Sequence, residues 1–321
     1  MSILVKKGGI EDSFQDLGRL GFRKLGIGTS GAMDRMSLRA ANILLGNEEN
    51  EAALEMHFPA AVLEFLEPIG FVLSGADLGA QVDGVPVGVL KPQTASKGAI
   101  LSFSGRITGN RVYLSVKNGF VLDTWLSSTS THLAAQQGGF EGRGLRKGDR
   151  IAFAAAQETE HTLSAGFRPA PKGTLRMVRG PAFSDLTAES ELRFIRERYR
   201  IGADSNRMGY RLSGSPLHLL DDSQRISSAV TFGTVQLLPN GQLVILMADH
   251  QTTGGYPNLG TIIGADLPIA AQLGRNDEVK FVPVSVEAAE QAGFKIETDF
   301  ALLRTGLYLR GYRASRSKEA M

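Results

Sequence analysis

Residues 249–257 hold the densest group of polar side chains in the sequence. They read Asp-His-Gln-Thr-Thr-Gly-Gly-Tyr-Pro and follow directly on the apolar run at 243–247. A carboxylate, an imidazole, an amide and two hydroxyl groups in one loop can bind a small polar substrate, and the two glycines allow the chain to turn. The alternative is a turn in which Asp and Thr side chains bond only to the loop backbone. From the residues alone, the two interpretations weigh equally.

Two further loops place arginine among small residues, as an anion-binding site would. Asn206, Arg207 and Arg211 surround a glycine, and a guanidinium group binds a carboxylate or phosphate through paired hydrogen bonds. Arg143 lies within the glycine-rich run 138–144, whose backbone amides could also approach an anion. Each loop has a simpler interpretation: solvent-exposed arginines in the first case, a tight turn before a strand in the second. Neither matches a Walker A or a Rossmann phosphate-binding motif.

Asp16 and Arg19 offer an acid and a base near the N-terminus, although an exposed ion pair in a turn would explain them and would contribute little to stability. The histidines show no spacing typical of metal ligands. They are His57, His132, His161, His218 and His250, and only the last lies in a polar cluster. The sequence therefore predicts no metal site, and it contains no nucleophile elbow of a serine hydrolase.

The composition narrows the class of protein. The 321 residues include 42% hydrophobic residues, enough for one large domain or two ordinary ones. Lys and Arg number 35 against 33 Asp and Glu, so no excess of charge indicates nucleic acid or an anionic membrane as the main partner. The lack of cysteine excludes a thiol nucleophile, thiolate metal ligands and disulfides. With no signal-peptide pattern and no apolar run long enough to cross a bilayer, the cytoplasm is the expected location.

The elements that must position these residues are mostly strands. Short β-branched and aromatic runs recur between Gly, Asn, Asp and Pro. They lie at 71–73, 111–116, 175–178, 243–247 and 279–284. The dipeptides at 83–84, Asp-Gly, and 240–241, Asn-Gly, stand between apolar runs and predict hairpins with type I′ turns. The sequence therefore predicts a mainly β fold with a few short helices.

Three helices are predicted. The first covers 34–45, with apolar residues on one face, an aspartate as its N-cap and a stop at Gly46. The second covers about 188–199, with acidic residues early and basic residues late. The third is short, follows Ser285 and stops at Gly293.

Prolines and glycines at 166–173 indicate a domain boundary. We place one domain at 1–168 and a second at 173–312, followed by a frayed polar tail at 313–321. A loose echo links the two, because the loops at 30–35 and 205–211 both set Met beside Arg. The echo indicates either two related halves or chance.

Seven short motifs occur in an order that resembles a known family. They are Gln-Asp-Leu-Gly-Arg at 15–19, Ser-Gly-Ala-Met-Asp at 30–34, Ala-Asn at 41–42 through Leu-Gly-Asn at 45–47, Ala-Leu-Glu at 53–55, Gly-Phe-Glu-Gly-Arg-Gly-Leu at 139–145 with Gly-Asp at 148–149, Ser-Asn-Arg-Met-Gly-Tyr-Arg-Leu at 205–212 and Gln-Thr-Thr-Gly-Gly-Tyr-Pro at 251–257. Each is weak singly, and together they are specific. From about residue 8 to residue 284 the chain resembles the allophanate hydrolase subunit 2, or KipA, family, which includes the PxpC proteins of 5-oxoprolinase.

The resemblance implies two cyclophilin-like β-barrel domains and a partner subunit of the KipI or PxpB family. With a PxpA-like protein, such subunits open 5-oxoproline to glutamate at the expense of ATP. The same modules, fused, form the carboxyltransferase part of urea carboxylase, in which carboxybiotin gives its carboxylate to urea. The leading hypothesis is a subunit of an ATP-dependent 5-oxoprolinase that is inactive without its partners. The alternatives are a biotin-dependent carboxyltransferase subunit and a non-enzymatic KipA-like regulator that binds a KipI-like kinase inhibitor.

Under that hypothesis, the resemblance implies that Asp249, Gln251, Tyr256 and Arg207 are catalytic. The residues expected to line the substrate or anion site are Arg211, Asn206, Thr252, Thr253, Gly254, Gly255, Asp16, Arg19, Glu55 and Arg143. The sequence has no P-loop, so ATP would be bound by other elements or by the partner. It has no Met-Lys-Met biotinylation sequence, so we expect no biotin on this chain, and no metal is assigned.

Overall fold

The computed structural model describes residues 1–159, 173–221 and 226–319. Over these residues the chain is mostly β, which confirms the expected fold class. The boundary placed at 166–173 lies almost wholly outside the described residues, so the division into two domains stays a prediction. For convenience, the residues before that gap are called the first half and those after it the second half.

The first half forms two antiparallel sheets around one apolar core. Its strands are β1 (Ser2–Lys7), β2 (Ile10–Gln15), β3 (Ala53–His57), β4 (Val62–Phe65), β5 (Ile69–Asp77), β6 (Ala80–Val82), β7 (Val85–Pro86), β8 (Gln93–Ala95), β9 (Ile100–Phe103), β10 (Thr108–Val116) and β11 (Arg150–Ala152). One sheet has the order β11-β1-β4-β9-β6-β7 and the other β2-β3-β10-β5-β8. Alternate residues point inward, as the two-residue period of a strand requires, so that Ile3 and Val5 of one sheet meet Phe71 and Leu73 of the other.

The second half closes into a barrel. Its strands are β12 (Thr174–Arg179), β13 (Tyr199–Ile201), β14 (Gly209–Ser213), β15 (Ser228–Ala229), β16 (Thr234–Leu237), β17 (Leu243–Leu246), β18 (Thr253–Gly254), β19 (Asn258–Ile262) and β20 (Glu278–Pro283). The barrel order is β12-β19-β16-β17-β14-β13-β20, and β15 and β18 form a separate ribbon. Its core includes Met33, a fully buried residue of the first half. The five strand segments predicted from the sequence are all present.

Both predicted hairpins exist, but only one has the predicted turn. Asp83 and Gly84 have φ values of 50° and 80° and join β6 to β7 directly, as a type I′ turn does. Between β16 and β17 the loop is longer, and only Gly241 has a positive φ, of 78°. Pro239 explains the difference, because its ring fixes a negative φ at the first central position of the turn.

Two of the predicted helices begin as expected. Helix α1 (Arg35–Leu45) has Asp34 as its N-cap, whose carboxylate accepts from the Ser37 amide at 2.9 Å, and Gly46 ends it in the left-handed conformation. Helix α2 (Ala188–Arg196) ends three residues earlier than predicted, since Tyr199 already pairs with the barrel in β13. The structure adds α3 (Leu267–Ala271) and 3₁₀ turns at Arg23–Leu25, Phe183–Asp185 and Gly264–Asp266, which the sequence did not indicate.

The last helix is longer than predicted. Helix α4 (Val286–Glu319) continues through Gly293 and through 313–319, where a frayed tail was expected, so both expectations are wrong. Tertiary contacts account for the extension: Phe300 is buried among residues of α1, and Arg39 on α1 pairs with Glu297 at 2.6 Å. Such contacts outweigh the cost of about 1 kcal/mol for a glycine inside a helix. Among the described helices, none is long and apolar enough to cross a membrane.

Candidate active site at the junction of the two halves

Three loops meet where the two halves join. The first runs from β2 to α1 in the first half, the second from β13 to β14, and the third follows β17. The Arg207 side chain of the second loop donates to the carbonyl of Gly31 in the first at 2.7 Å, and the Asp249 amide of the third donates to the carbonyl of Arg207 at 2.8 Å. The two loops that share Met beside Arg therefore lie against each other.

Glu55, Arg207 and Asp249 form a buried ion-pair network across this junction. Nε of Arg207 lies 2.8 Å from Oδ2 of Asp249, its Nη2 lies 3.2 Å from Oδ1, and its Nη1 donates to Glu55 on β3. The side chains of Glu55 and Arg207 are 1% and 4% exposed, so water does not weaken these contacts. A second cation, Arg111, has its Nε 3.5 Å from Glu55. Two carboxylates thus neutralise two guanidinium groups.

The second oxygen of Glu55 is also occupied. It accepts from the Tyr113 hydroxyl at 2.7 Å and from the Met33 amide at 2.9 Å. Burial alone would raise the pKa of Glu55, but the charges of Arg207 and Arg111 hold it below its usual value. Burial, reinforced by the Glu55 charge, raises the pKa of Tyr113 well above its usual value. Glu55 is therefore ionised and fixes the start of α1 relative to the barrel.

Asp249 is held from the first half as well. The Ser30 hydroxyl donates to its Oδ1, and Ser30 is fully buried with a φ of 55°, which is unusual for a residue with a side chain. Gly18 makes this packing possible, because a Cβ there would lie 2.7 Å from the carbonyl oxygen of Thr29. His250 is buried next to Asp249, its Nδ1 contacts the carbonyl of Gln251, and burial lowers its pKa.

The rest of the 249–257 loop forms an accessible rim. Gln251, Thr253, Gly255 and Tyr256 are exposed, and Thr252 and Gly254 are partly buried. The backbone of this rim is ordered by the pairing of β18 with β15 and by the Arg23 side chain, which donates to the carbonyl of Thr252 at 3.4 Å. The predicted substrate-binding side chains therefore lie beside the buried network and remain free to contact a ligand or a partner.

Asp16 and Arg19 are not the exposed ion pair that offered the simpler interpretation. Both are buried, at 2% and 1% exposure. The Asp16 carboxylate accepts from Ser130 Oγ at 2.5 Å, from Ser128 Oγ at 2.8 Å and from the Thr129 amide at 2.8 Å. Arg19 instead donates from Nη2 to the carbonyl of Ser130, and its guanidinium lies over the Trp125 ring, 4.6 Å from the centroid. Sequence proximity did not produce the contact that the spacing suggested.

Three predicted residues lie outside this arrangement. Arg211 is exposed on the outer face of the barrel. Asn206 is exposed and its side-chain oxygen accepts from the Met208 amide at 2.8 Å. Arg143 pairs with Asp149 at 2.7 Å and with Glu141 at 2.6 Å, and so stabilises the turn before β11. The glycine-rich run around Arg143 is thus the tight turn of its simpler interpretation.

Sequence reasoning missed four residues that the structure brings to the junction. They are Ser30, Arg35, Arg111 and Tyr113. The first two belong to the 30–35 motif, which was noticed without assigning these residues a role. The other two lie on β10, where the signal was an arginine inside an apolar strand. Among the described residues, no group of three or more His, Asp or Glu side chains is placed to hold a metal ion.

Comparisons with known proteins agree with this architecture. Residues 25–283 match the carboxyltransferase domain family, subdomain A and B. The PxpC protein of 5-oxoprolinase from Haemophilus influenzae is 39% identical over 288 residues, which cover 89% of this chain and 92% of that protein. The corresponding Escherichia coli protein is 36% identical over the same shares.

Among solved structures, the urea amidolyase of K. lactis matches with a TM-score of 0.84 at 25% identity. The match covers 93% of this chain but only 20% of that one, so the chain corresponds to a fifth of a longer protein. These findings confirm the resemblance carried by the seven motifs. The chain belongs to the carboxyltransferase domain family, subdomain A and B.

Proposed function

We propose that this chain is the PxpC component of an ATP-dependent 5-oxoprolinase and works with a KipI/PxpB-like and a PxpA-like subunit. In that reaction 5-oxoproline, ATP and water give glutamate, ADP and phosphate. Identities of 36% and 39% to two PxpC proteins, each over 89% of the chain, support the assignment. The structural observation that carries it is the fixed Asp249 carboxylate beside an accessible polar rim.

Asp249 is suited to orient the lactam. Arg207 holds both of its oxygens and Ser30 holds one, so the carboxylate does not need to reorganise when a substrate arrives. Its side chain is 9% exposed, which leaves an edge for the lactam N–H. Gln251 and Tyr256 on the rim would hydrogen-bond the rest of the ring. Arg207 serves to position Asp249, because two carboxylates already neutralise its charge.

ATP would be bound mainly by the partner subunits. The chain has no P-loop. Phosphoryl transfer needs a dedicated anion cradle, and the glycine-rich run 138–144 is closed by the ion pairs of Arg143. In this assignment the chain contributes the substrate side of the site, which explains why it would be inactive alone.

The test is 5-oxoproline-dependent ATP hydrolysis by the chain co-expressed with its partner subunits. We expect Asp249→Asn to lower kcat at least about tenfold, since a positioned polar group contributes about 10²-fold or more. Asp204→Asn is the matched control, because Asp204 is exposed on the neighbouring loop. Equal turnover in the two variants would remove Asp249 from the site. No activity in the wild-type complex would contradict the function itself.

A biotin-dependent carboxyltransferase is the second candidate. It is favoured by the family match and by the likeness to urea amidolyase over 93% of the chain. Both reactions use a small amide-like substrate, so the same loop would serve either. Transfer of a carboxyl group from free carboxybiotin to urea, with no activity on 5-oxoproline, would favour this candidate. Binding to a KipI-like protein without any catalytic gain would favour a regulator.

A further inference from the structure

Two arginines at the junction carry charges that no carboxylate neutralises. Nε and Nη1 of Arg19 and Nε of Arg35 are buried without a hydrogen-bond partner. The remaining contacts of these side chains are to main-chain carbonyls, Arg19 to that of Ser130 and Arg35 to that of Ser30. Aromatic rings complete their surroundings, Trp125 over Arg19 and Phe232 beside Arg35.

This burial is costly. A guanidinium group has five N–H donors, and a buried charge left without its hydrogen bonds destabilises a protein by several kcal/mol. Burial accordingly lowers the pKa of both Arg19 and Arg35. The contrast with Arg207 is direct, since that side chain is equally buried but has two carboxylate partners. An unsatisfied buried donor calls for an explanation, and a ligand that is not bound is one.

Both arginines lie close to the proposed substrate site. The Arg19 amide donates to the carbonyl of Thr29, and Arg35 contacts the next carbonyl, so both side chains start from the loop that holds Asp249. Arg19 lies within electrostatic reach of Asp249. The neighbouring Asp16 does not compensate either charge by an ion pair, because serine, threonine and backbone donors fill its oxygens.

We propose that Arg19, assisted by Arg35, binds the carboxylate of the substrate while Asp249 holds the amide. The inference rests on the proposed function and deepens it: the substrate must be an anionic amide, such as a lactam acid, rather than an uncharged one such as urea. Trp125 covers the Arg19 guanidinium, so its ring moves when the carboxylate arrives. Arg19 is thus a binding residue, and it takes the role that the sequence had given to Arg207 and Arg211.

Trp125 provides a direct readout, because it is the single tryptophan of the chain. We expect 5-oxoproline to change the fluorescence of the isolated chain in a saturable way. The probe 2-pyrrolidinone, the same lactam without the carboxylate, should have no effect at the same concentrations. An equal response to both lactams, or a response to inorganic phosphate but not to 5-oxoproline, would overturn the carboxylate assignment.

The second measurement uses the assembled complex. Removing a hydrogen bond to a charged group costs a factor of about 10 to 100 in binding. Arg19→Gln should raise KM for 5-oxoproline by that factor with a much smaller change in kcat, and Arg19→Lys should recover part of the loss. Arg150→Gln, at an exposed position of β11, is the matched control. A KM within twofold of wild type for Arg19→Gln would sink the proposal.

The two measurements separate this inference from the proposed function. If the wild-type complex does not hydrolyse ATP with 5-oxoproline, the function fails, and the fluorescence of the isolated chain decides on the anion site alone. If the complex is active and Arg19→Gln behaves as the control, the function stands and the anion site fails. Thermal unfolding of each variant shows that the change in KM does not come from misfolding.

Discussion

The junction contains two kinds of buried arginine, and they differ in what neutralises them. Arg207 and Arg111 face Glu55 and Asp249, so their charges cancel within the protein. Arg19 and Arg35 are neutralised by nothing that the described residues supply. The first kind fixes one half of the molecule against the other. The second kind waits for a charge from outside, so burial alone does not distinguish an arginine that holds a fold together from one that binds a substrate.

The largest effect should follow from breaking the compensated set. Arg207→Met leaves Glu55 and Asp249 buried without their main counter-ion, and we expect the free energy of unfolding to fall by about 3–5 kcal/mol. Urea denaturation measures it. A loss below about 1 kcal/mol would show that the two sets of arginines do not differ as described.

A buried carboxylate without a cation tests the same contrast with the sign of charge reversed. Asp12 accepts from the amides of Gly9 and Ala61 through one oxygen, its other oxygen has no partner, and burial raises its pKa to about 7. Between about pH 4 and pH 7 it is protonated in the folded state and ionised in the unfolded one. Its contribution to stability is therefore full below about pH 4 and is lost as the pH rises through about 7.

Asp12→Asn removes this titration. Since one pKa unit corresponds to about 1.4 kcal/mol, the wild type should lose up to about 4 kcal/mol of stability between about pH 4 and pH 8 through this group. The variant should show a flatter profile over that window, measured by chemical denaturation at a series of pH values. Parallel profiles for the two proteins would contradict the assignment of Asp12.

The uncompensated set should behave in the opposite way to Arg207. Arg19→Met keeps the apolar contact with Trp125 and removes a buried charge, so the free energy of unfolding should stay within about 1 kcal/mol of wild type or rise. Substrate-binding residues commonly cost stability in this way. A loss of about 3 kcal/mol or more in urea denaturation would place Arg19 with Arg207 as a structural residue.

The smallest effect is expected at an exposed contact between the same two halves. Arg106 pairs with Asp277 at 2.5 Å, with both side chains 34% exposed. Solvent screens this pair, so Arg106→Gln should cost less than about 1 kcal/mol, and less still at high salt. Denaturation at low and at high salt measures both. A cost comparable to that of Arg207→Met would show that position at the junction, rather than burial, decides the energy.

The sequence predicted what depends on neighbours along the chain. Helix α1 was recognised because Asp34 and Gly46 cap it from adjacent positions, and the strands followed from local patterns. It did not predict what depends on distant residues. Helix α4 was cut at Gly293 because its packing on α1 is invisible in the local pattern. Glu55 and Arg207 are 152 residues apart, so their ion pair could not be read from spacing.

The site was predicted unevenly for the same reason. Asp249, Arg207 and Glu55 were named from the family motifs, and the structure brings them together, although in a mutual network rather than as separate substrate contacts. Arg19 was named too, but its burial depends on the loop that carries Trp125, more than a hundred residues later. Ser30 and Arg35 were overlooked because a serine and an arginine at the start of a helix have ordinary local explanations.

Met33 gives the junction a further consequence. Its side chain comes from the first half and is fully buried in the core of the barrel, while its amide is tied to Glu55. A gene cut between the halves would produce a barrel with a hole in its core and a first fragment with an apolar plug in water. Expressed together, however, two such fragments carry matching shapes and charges, and so offer a natural split point for a reporter that assembles only when both pieces meet.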